Sequence, residues 1–230
     1  MIALIHHSFC PHSRFVRLAL AEYRLDFELI EERPWERRRE FLALSPEGIT
    51  PTLLEDDLPP APGPEGIAEY LDEAHGPGMG ERRLMPLDLA GRIEVRRLTR
   101  WFNQKFYEEV SHWLVGEKIF KRYLNGAQGG GAPNMDAVRA ARANLRYHLQ
   151  YIGRLIATRN WLAGDSLSYA DLAAAAHLSC VDYLGDAAWG ENDNARHWYA
   201  RVKSRPSFRP LLSDRVAGLT PSDTYANLDF

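Results

Sequence analysis

"HHSFCPHSRFVRLAL" runs from His6 to Leu20 and decides how the rest of the chain is read. Just before it, "IALI" (residues 2–5) is a brief apolar run bounded by polar residues, the pattern of a buried strand. After Pro11 the pattern changes. Phe15, Val16, Leu18, Ala19 and Leu20 fit a helix, which proline tolerates at its first turn. Cys10 therefore falls where a strand gives way to a helix. At a helix N-terminus the dipole and the free N–H groups would stabilise a thiolate. The alternative is a small apolar side chain that closes the turn.

Working outward, "FELIEE" (27–32) and "TPTLLED" (50–56) read as further strands, and "PWERRREFLAL" (34–44) as a short helix or surface turn. "GIAEYLDEAHG" (66–76) reads as a helix stopped by glycine. Residues 1–76 thus make an α/β unit, and residues 77–86, rich in glycine and proline, make a linker. Strand signals then stop. Val95, Leu98, Phe102 and Phe106 recur at helical spacing, as do Val138, Ala141, Leu145, Leu149, Ile152 and Ile156. Residues 87–212 are expected to be all helical, with 213–230 as a C-terminal tail. The glycines of "NGAQGGGAPN" (125–134) lack both a preceding strand and a following Lys-Ser/Thr pair, so they read as an inter-helix loop.

Composition narrows the function classes. With 230 residues and a net charge of −3, the chain lacks the basic excess of a nucleic-acid binder. No apolar run is long enough to insert into a membrane. "MIALI" carries no signal-peptide pattern, and two cysteines far apart suit a reducing compartment; a cytoplasmic protein without a disulfide framework is expected. His6, His7, His12 and Cys10 form no credible metal site, since adjacent strand histidines point to opposite faces.

Two later segments complete the pattern. "GDSLSYADLAAAAHLS" (164–179) holds a capping box, Ser168 with Asp171, and Leu167 and Leu172 can staple it. "WYARVKSRPSFRPLL" (198–212) is a helix ended at Arg205–Pro206. Together with "SFCPHSRFVRLAL", "LSPEGITPTLLED" and "IAEYLDE", in that order, these resemble the glutathione transferase superfamily. The resemblance implies a thioredoxin-like α/β N-terminal domain, an all-α C-terminal domain and a homodimer. It implies a cis bond at Thr50–Pro51, with the Thr50 backbone facing the cysteinyl part of glutathione. Cys10 matches the family's catalytic Cys or Ser, with Ser8 and Ser13 as nearby hydroxyl alternatives.

The family's glutamyl-binding Glu-Ser pair aligns with Gly63–Pro64, which offer neither side-chain hydroxyl nor carboxylate. "DLPPAPGP" (57–64), with four prolines, leaves room only for a short edge strand or none. Glutathione binding is therefore not expected, nor any other cofactor. "EERPWERRRE" (31–40) sets Trp35 among four Glu and four Arg, which reads either as a solvated helix or as a binding hot spot on an exposed tryptophan. "WFNQKFYEEVSHW" (101–113) reads as inter-helix packing.

The tail, "DRVAGLTPSDTYANLDF" (214–230), ends in apolar side chains that should dock on the chain's own domain or on a partner. It resembles a glutathione-transferase-like group of cell-division proteins in alphaproteobacteria. That likeness implies a non-catalytic homodimer on FtsZ filaments, with Trp35, Tyr225, Leu228, Asp229 and Phe230 as partner contacts. The alternative is a glutathione-dependent transferase or thiol oxidoreductase working through Cys10.

Overall fold

Both neighbours of the N-terminal strand need it, which puts β1 (Ile2–His6) inside the sheet of the computed structural model, where residues 1–228 are described. β2 (Phe27–Glu31) runs parallel to it, with Ile2 opposite Phe27 and His6 opposite Glu31. β3 (Thr52–Glu55) runs antiparallel on the other side, and β4 (Ala61–Pro62) closes the order β2-β1-β3-β4. β4 is the short edge expected of a proline-rich segment, since proline cannot donate to a ladder. The Thr50–Pro51 bond before β3 is cis.

A parallel β1–β2 pair needs a crossover, and α1 (Pro11–Glu22) supplies it. Phe15, Val16, Leu18 and Leu20 are buried, and so are the polar Ser13 and Arg14, because α1 is enclosed between the sheet domain and the helical half. A single 3-10 turn at Pro34–Glu36 precedes α2 (Arg39–Leu44). α3 (Pro64–Ala74) begins two residues before the expected start, with Pro64 in its first turn. Gly76–Arg82 then forms 3-10 turns.

The second half is helical. α4 (Leu89–Arg100) is capped by Asp88, which accepts from the Gly91 N–H at 2.7 Å. It continues as a π-helix over Trp101–Ser111 and then as α5 (His112–Lys118). α6 (Met135–Ile156) is capped by Asn134. α7 (Tyr169–Tyr183) is buried along its whole length, so an alanine-rich helix suits it: Ala173–Ala176 let neighbouring helices approach closely. α8 (Asp193–Lys203) stops where Arg205 turns extended ahead of Pro206, and α9 (Arg209–Leu212) follows a short 3-10 turn.

At the start of α7, the Asp171 carboxylate reaches back to the Ser168 N–H (3.1 Å) and hydroxyl (2.9 Å). It also accepts from the Leu162 N–H and the Trp198 indole, both at 2.9 Å. The folding element expected at Ser168 therefore ties α7 to α8 as well. Burial raises the proton affinity of Asp171, and these four donors oppose that effect.

One hydrophobic core runs from Leu4 and Phe15 through Leu98, Phe102 and Phe106 to Trp198 and Leu211. A second, smaller cluster joins Phe9, Val115, Ile119, Cys180 and Tyr183 to Val216 and Tyr225 of the tail. Cys10 and Cys180 are free thiols. Among the described residues no helix is long and apolar enough to cross a membrane, and no group of three or more His, Cys, Asp or Glu is placed to hold a metal ion.

Candidate functional site

The sheet, α1 and the π-helix converge on Cys10. Its backbone caps α1 in extended geometry, and its thiol donates to the Thr50 carbonyl at 3.4 Å. One residue past Pro11, the His12 Nε2–H donates to the Asn103 carbonyl at 2.8 Å. A carbonyl only accepts, so the proton sits on Nε2 and leaves Nδ1 for the thiol. Burial alone would raise the Cys10 thiol. His12 and the Ser13 hydroxyl and N–H outweigh it and bring the thiol down to about 7. Burial would lower His12, but the thiolate and the Asn103 carbonyl outweigh that and push it up. The Tyr107 ring packs against the His12 ring, with centroids 4.5 Å apart.

The two serines take other work. The Ser8 hydroxyl donates to Glu31 at 3.2 Å, and Ser13 is fully buried, its oxygen accepting from the His7 N–H at 3.4 Å. Glu31 also faces His6 at 3.3 Å. Burial, with Arg14 and Arg17 nearby, holds His6 down to about 3. Burial, with Arg14 and Arg33, holds His7 down to about 4. Both rings are neutral parts of the interior.

At the α3 end, Gly63 takes a positive φ of 81°, a conformation that favours glycine, and caps the helix with no side chain. Pro64 contributes no donor. Glu65 carries the negative charge in the first turn, so α3 already satisfies its own dipole with an internal carboxylate. A cavity of about 500 Å³ lies elsewhere, between the linker and the loop before α7, lined by Arg83, Asp88, Gly91, Asp165 and Ser168. It contains none of the residues around Cys10.

Trp35 corrects the expectation of an exposed tryptophan. Its ring is half-buried and stacks on Tyr123 at 5.6 Å, with Phe120 at 5.4 Å and His7 at 5.3 Å. It bridges the sheet domain to the end of α5, because an indole between arginines gains more from aromatic neighbours than from water.

Tyr225 is a second correction. It is fully buried, its hydroxyl accepting from Arg14 at 3.1 Å and donating to the Leu211 carbonyl. The structure moves it from the partner-facing set to the interior. The buried Arg14 guanidinium reaches Ser8 O (2.7 Å), Ser179 Oγ (2.8 Å) and Asp214 (3.2 Å), and Arg17 holds Asp214 at 2.8 Å. Farther along, the buried Lys203–Asp182 pair holds the tail through Thr224 and Ser222. The tail is therefore strapped across both domains as far as Tyr225. Leu228 is half-buried, and Asp229 and Phe230 lie outside the described residues.

Sequence reading missed Arg14 and Asn103, and it weighed His12 only as a metal ligand. Arg14 sits on a helix whose apolar spacing gives no sign of a buried charge. Asn103 is remote from His12 in sequence and serves through its backbone, which leaves no signal in residue type.

A thioredoxin-like sheet domain with a cis-proline, a cysteine-capped first helix and an all-helical partner domain define a class. Residues 4–81 match the glutathione S-transferase N-terminal domain and residues 132–215 the glutathione S-transferase C-terminal domain, and the chain belongs to the glutathione S-transferase family. Within that family it is 45% identical, over 99% of this chain and 97% of the other, to FtsZ-localized protein A of Caulobacter vibrioides (strain NA1000 / CB15N). The crystal structure of a glutathione S-transferase from Sinorhizobium meliloti 1021 superposes with a TM-score of 0.97 at 50% identity, covering 100% of both chains. The structure of FzlA from C. crescentus superposes with a TM-score of 0.92 at 44% identity, covering 100% of this chain and 99% of that one.

Proposed function

We propose that this chain is a non-catalytic, homodimeric member of the family that binds FtsZ filaments at the division site in the cytoplasm. There it alters their curvature or bundling and so regulates constriction. The observation that carries this reading is the 45% identity with FtsZ-localized protein A along nearly the whole chain. The α3 terminus supports the non-catalytic part: Gly63 and Pro64 offer no grip on the glutamyl end of glutathione, and the Glu65 charge opposes its carboxylate. In this reading Leu228, Asp229 and Phe230 are partner contacts, and the anchorage of Tyr225 fixes the chain three residues before the first of them. The half-buried face of Trp35 is the second contact in this reading.

A homodimer would carry one filament site per subunit and cross-link protofilaments through multivalency. Two rows of charge support it. Glu65, Glu69 and Glu73 recur every four residues on α3, and Arg92, Arg96 and Arg100 do so on α4. Arg96 holds Glu69 within the chain at 2.9 Å, so only the outer members of these rows are left to meet a partner across a two-fold axis. Beside them Leu87, Leu89 and Ile93 are 81%, 79% and 67% exposed, an apolar face that a second copy would cover.

Electron microscopy of FtsZ polymerised with the protein tests the reading. Curved or bundled filaments are expected; straight single filaments at saturating protein would overturn it. Ile93→Arg should shift sedimentation from dimer to monomer, and an unchanged dimer would place the interface elsewhere.

A further inference from the structure

We propose that the groove between the linker and the loop before α7 binds an aliphatic polyamine, a flexible methylene chain carrying separated ammonium groups. The groove has a volume of about 500 Å³, the size of an ordinary small-ligand site. Its floor is apolar: Met85 and Val95 are buried there, and Pro86 and Leu167 are half-buried. Its walls are acidic and come from three separate segments. Glu81 stands on the 3-10 turns after α3, Asp88 at the start of α4, and Asp165 on the loop before α7.

The charges decide the sign of the ligand. Arg83 also lines the groove, but its Nε and Nη2 donate to the two oxygens of buried Asp72 at 2.7 and 2.8 Å, so its charge is spent. Arg92 turns to the Pro86 carbonyl at 3.3 Å and to Asp72 at 3.7 Å. Glu81, Asp88 and Asp165 enter no ion pair among the described residues. Asp88 uses one oxygen on the Gly91 N–H, and Asp165 accepts a long bond from Asn160 Nδ2 at 3.4 Å. α4 and α7 both begin beside the groove, and their dipoles are already answered by the Asp88 cap and the Asp171 capping box. What remains unmatched is negative.

The placement of the carboxylates decides the shape. Among the described residues no group of three or more His, Cys, Asp or Glu is placed to hold a metal ion, so a compact cation cannot satisfy all three walls. A polyamine can. Each ammonium pairs with one carboxylate, and the methylenes between them lie on Met85, Val95 and Leu167, a contact that a hydrated metal ion cannot make. Gly80 and Gly164 leave open space where a Cβ would stand, so the chain can pass close to the backbone. Asp88, Gly91 and Val95 share one face of α4, and Leu89 and Ile93 point about 100° or more away around the helix. The groove shares no residue with the Cys10 site or the tail, so the proposal is independent of filament binding.

Isothermal titration calorimetry of the full-length protein with spermidine, at about 50 mM salt to limit screening, tests it. Saturable binding of one spermidine per chain is expected, tighter than that of putrescine, which lacks the third ammonium. Glu81→Gln and Asp165→Asn should each weaken it about 3–5-fold, the range of one exposed ion pair. Both side chains are exposed, and circular dichroism melts of the two variants should match wild type, which separates lost binding from lost folding. Binding that is unchanged in both variants, or an absence of saturable heat, overturns the proposal. Displacement of spermidine by an equal concentration of Mg²⁺ would reduce the groove to an acidic surface and overturn it too. A lysine-rich peptide that binds more tightly than spermidine would make the groove a protein-docking surface, against the proposal.

Discussion

Tyr225→Phe and Tyr225→Ala separate a structural strap from a partner contact. The phenylalanine keeps the ring against Tyr183, whose centroid lies 4.9 Å away, and loses only the hydroxyl. That hydroxyl accepts from Arg14 and donates to the Leu211 carbonyl; Arg14 keeps Ser8, Ser179 and Asp214, whereas the Leu211 carbonyl loses its side-chain donor. Two buried hydrogen bonds with one acceptor left short cost about 1–2 kcal/mol. In a chain of this size that lowers Tm by about 2–8 °C. Alanine also removes a fully buried ring from the cluster with Phe9 and Val216, for a total of about 3–5 kcal/mol. Urea melts followed by circular dichroism, with filament binding measured in parallel, give the answer. If both variants stay within about 0.5 kcal/mol of wild type yet lose filament binding, Tyr225 faces the partner and the strap account is wrong.

The other predictions concern the interior. His6 and His7 are neutral in the fold down to about 3 and 4, whereas in the unfolded chain they take up protons below about 6.5. Stability should therefore be full above pH 6.5 and fall as pH drops from there toward 4, by up to about 1.4 kcal/mol per pH unit for each histidine. His7→Asn keeps an acceptor for the Phe9 N–H, and pH-dependent melts should show a shallower acid slope; an unchanged slope refutes the assignment. Asp171→Ala strands four buried donors, and urea titration should show a loss of about 3–5 kcal/mol; a loss under about 1 kcal/mol would mean water replaces the carboxylate.

Much of this architecture was legible because the signals were local. The strand at 2–5, the helix after Pro11, the proline-broken edge at 57–64 and the Ser168–Asp171 cap each follow from adjacent residues. The pairing partners were not legible. Trp35 read as exposed because its neighbours in sequence are charged, yet its neighbours in space are Phe120 and Tyr123. Tyr225 read as a partner contact because Arg14, which it meets, is a charged residue on an apolar helix, and nothing local shows that Asp214, Ser179 and the Ser8 carbonyl hold that charge in the interior. The Cys10 site was half legible: the helix start gave the thiol, and the π-helix that brings in the Asn103 carbonyl left no pattern beyond ordinary helical spacing.

Co-sedimentation with GTP-assembled FtsZ tests the central claim most directly, comparing the full chain with a form lacking residues 227–230. The account predicts that the full chain pellets with polymer in a saturable manner. The shortened form should stay in the supernatant while keeping its dimer and its Tm, because the strap ends at Tyr225. A full chain that remains in the supernatant while polymer pellets would contradict it.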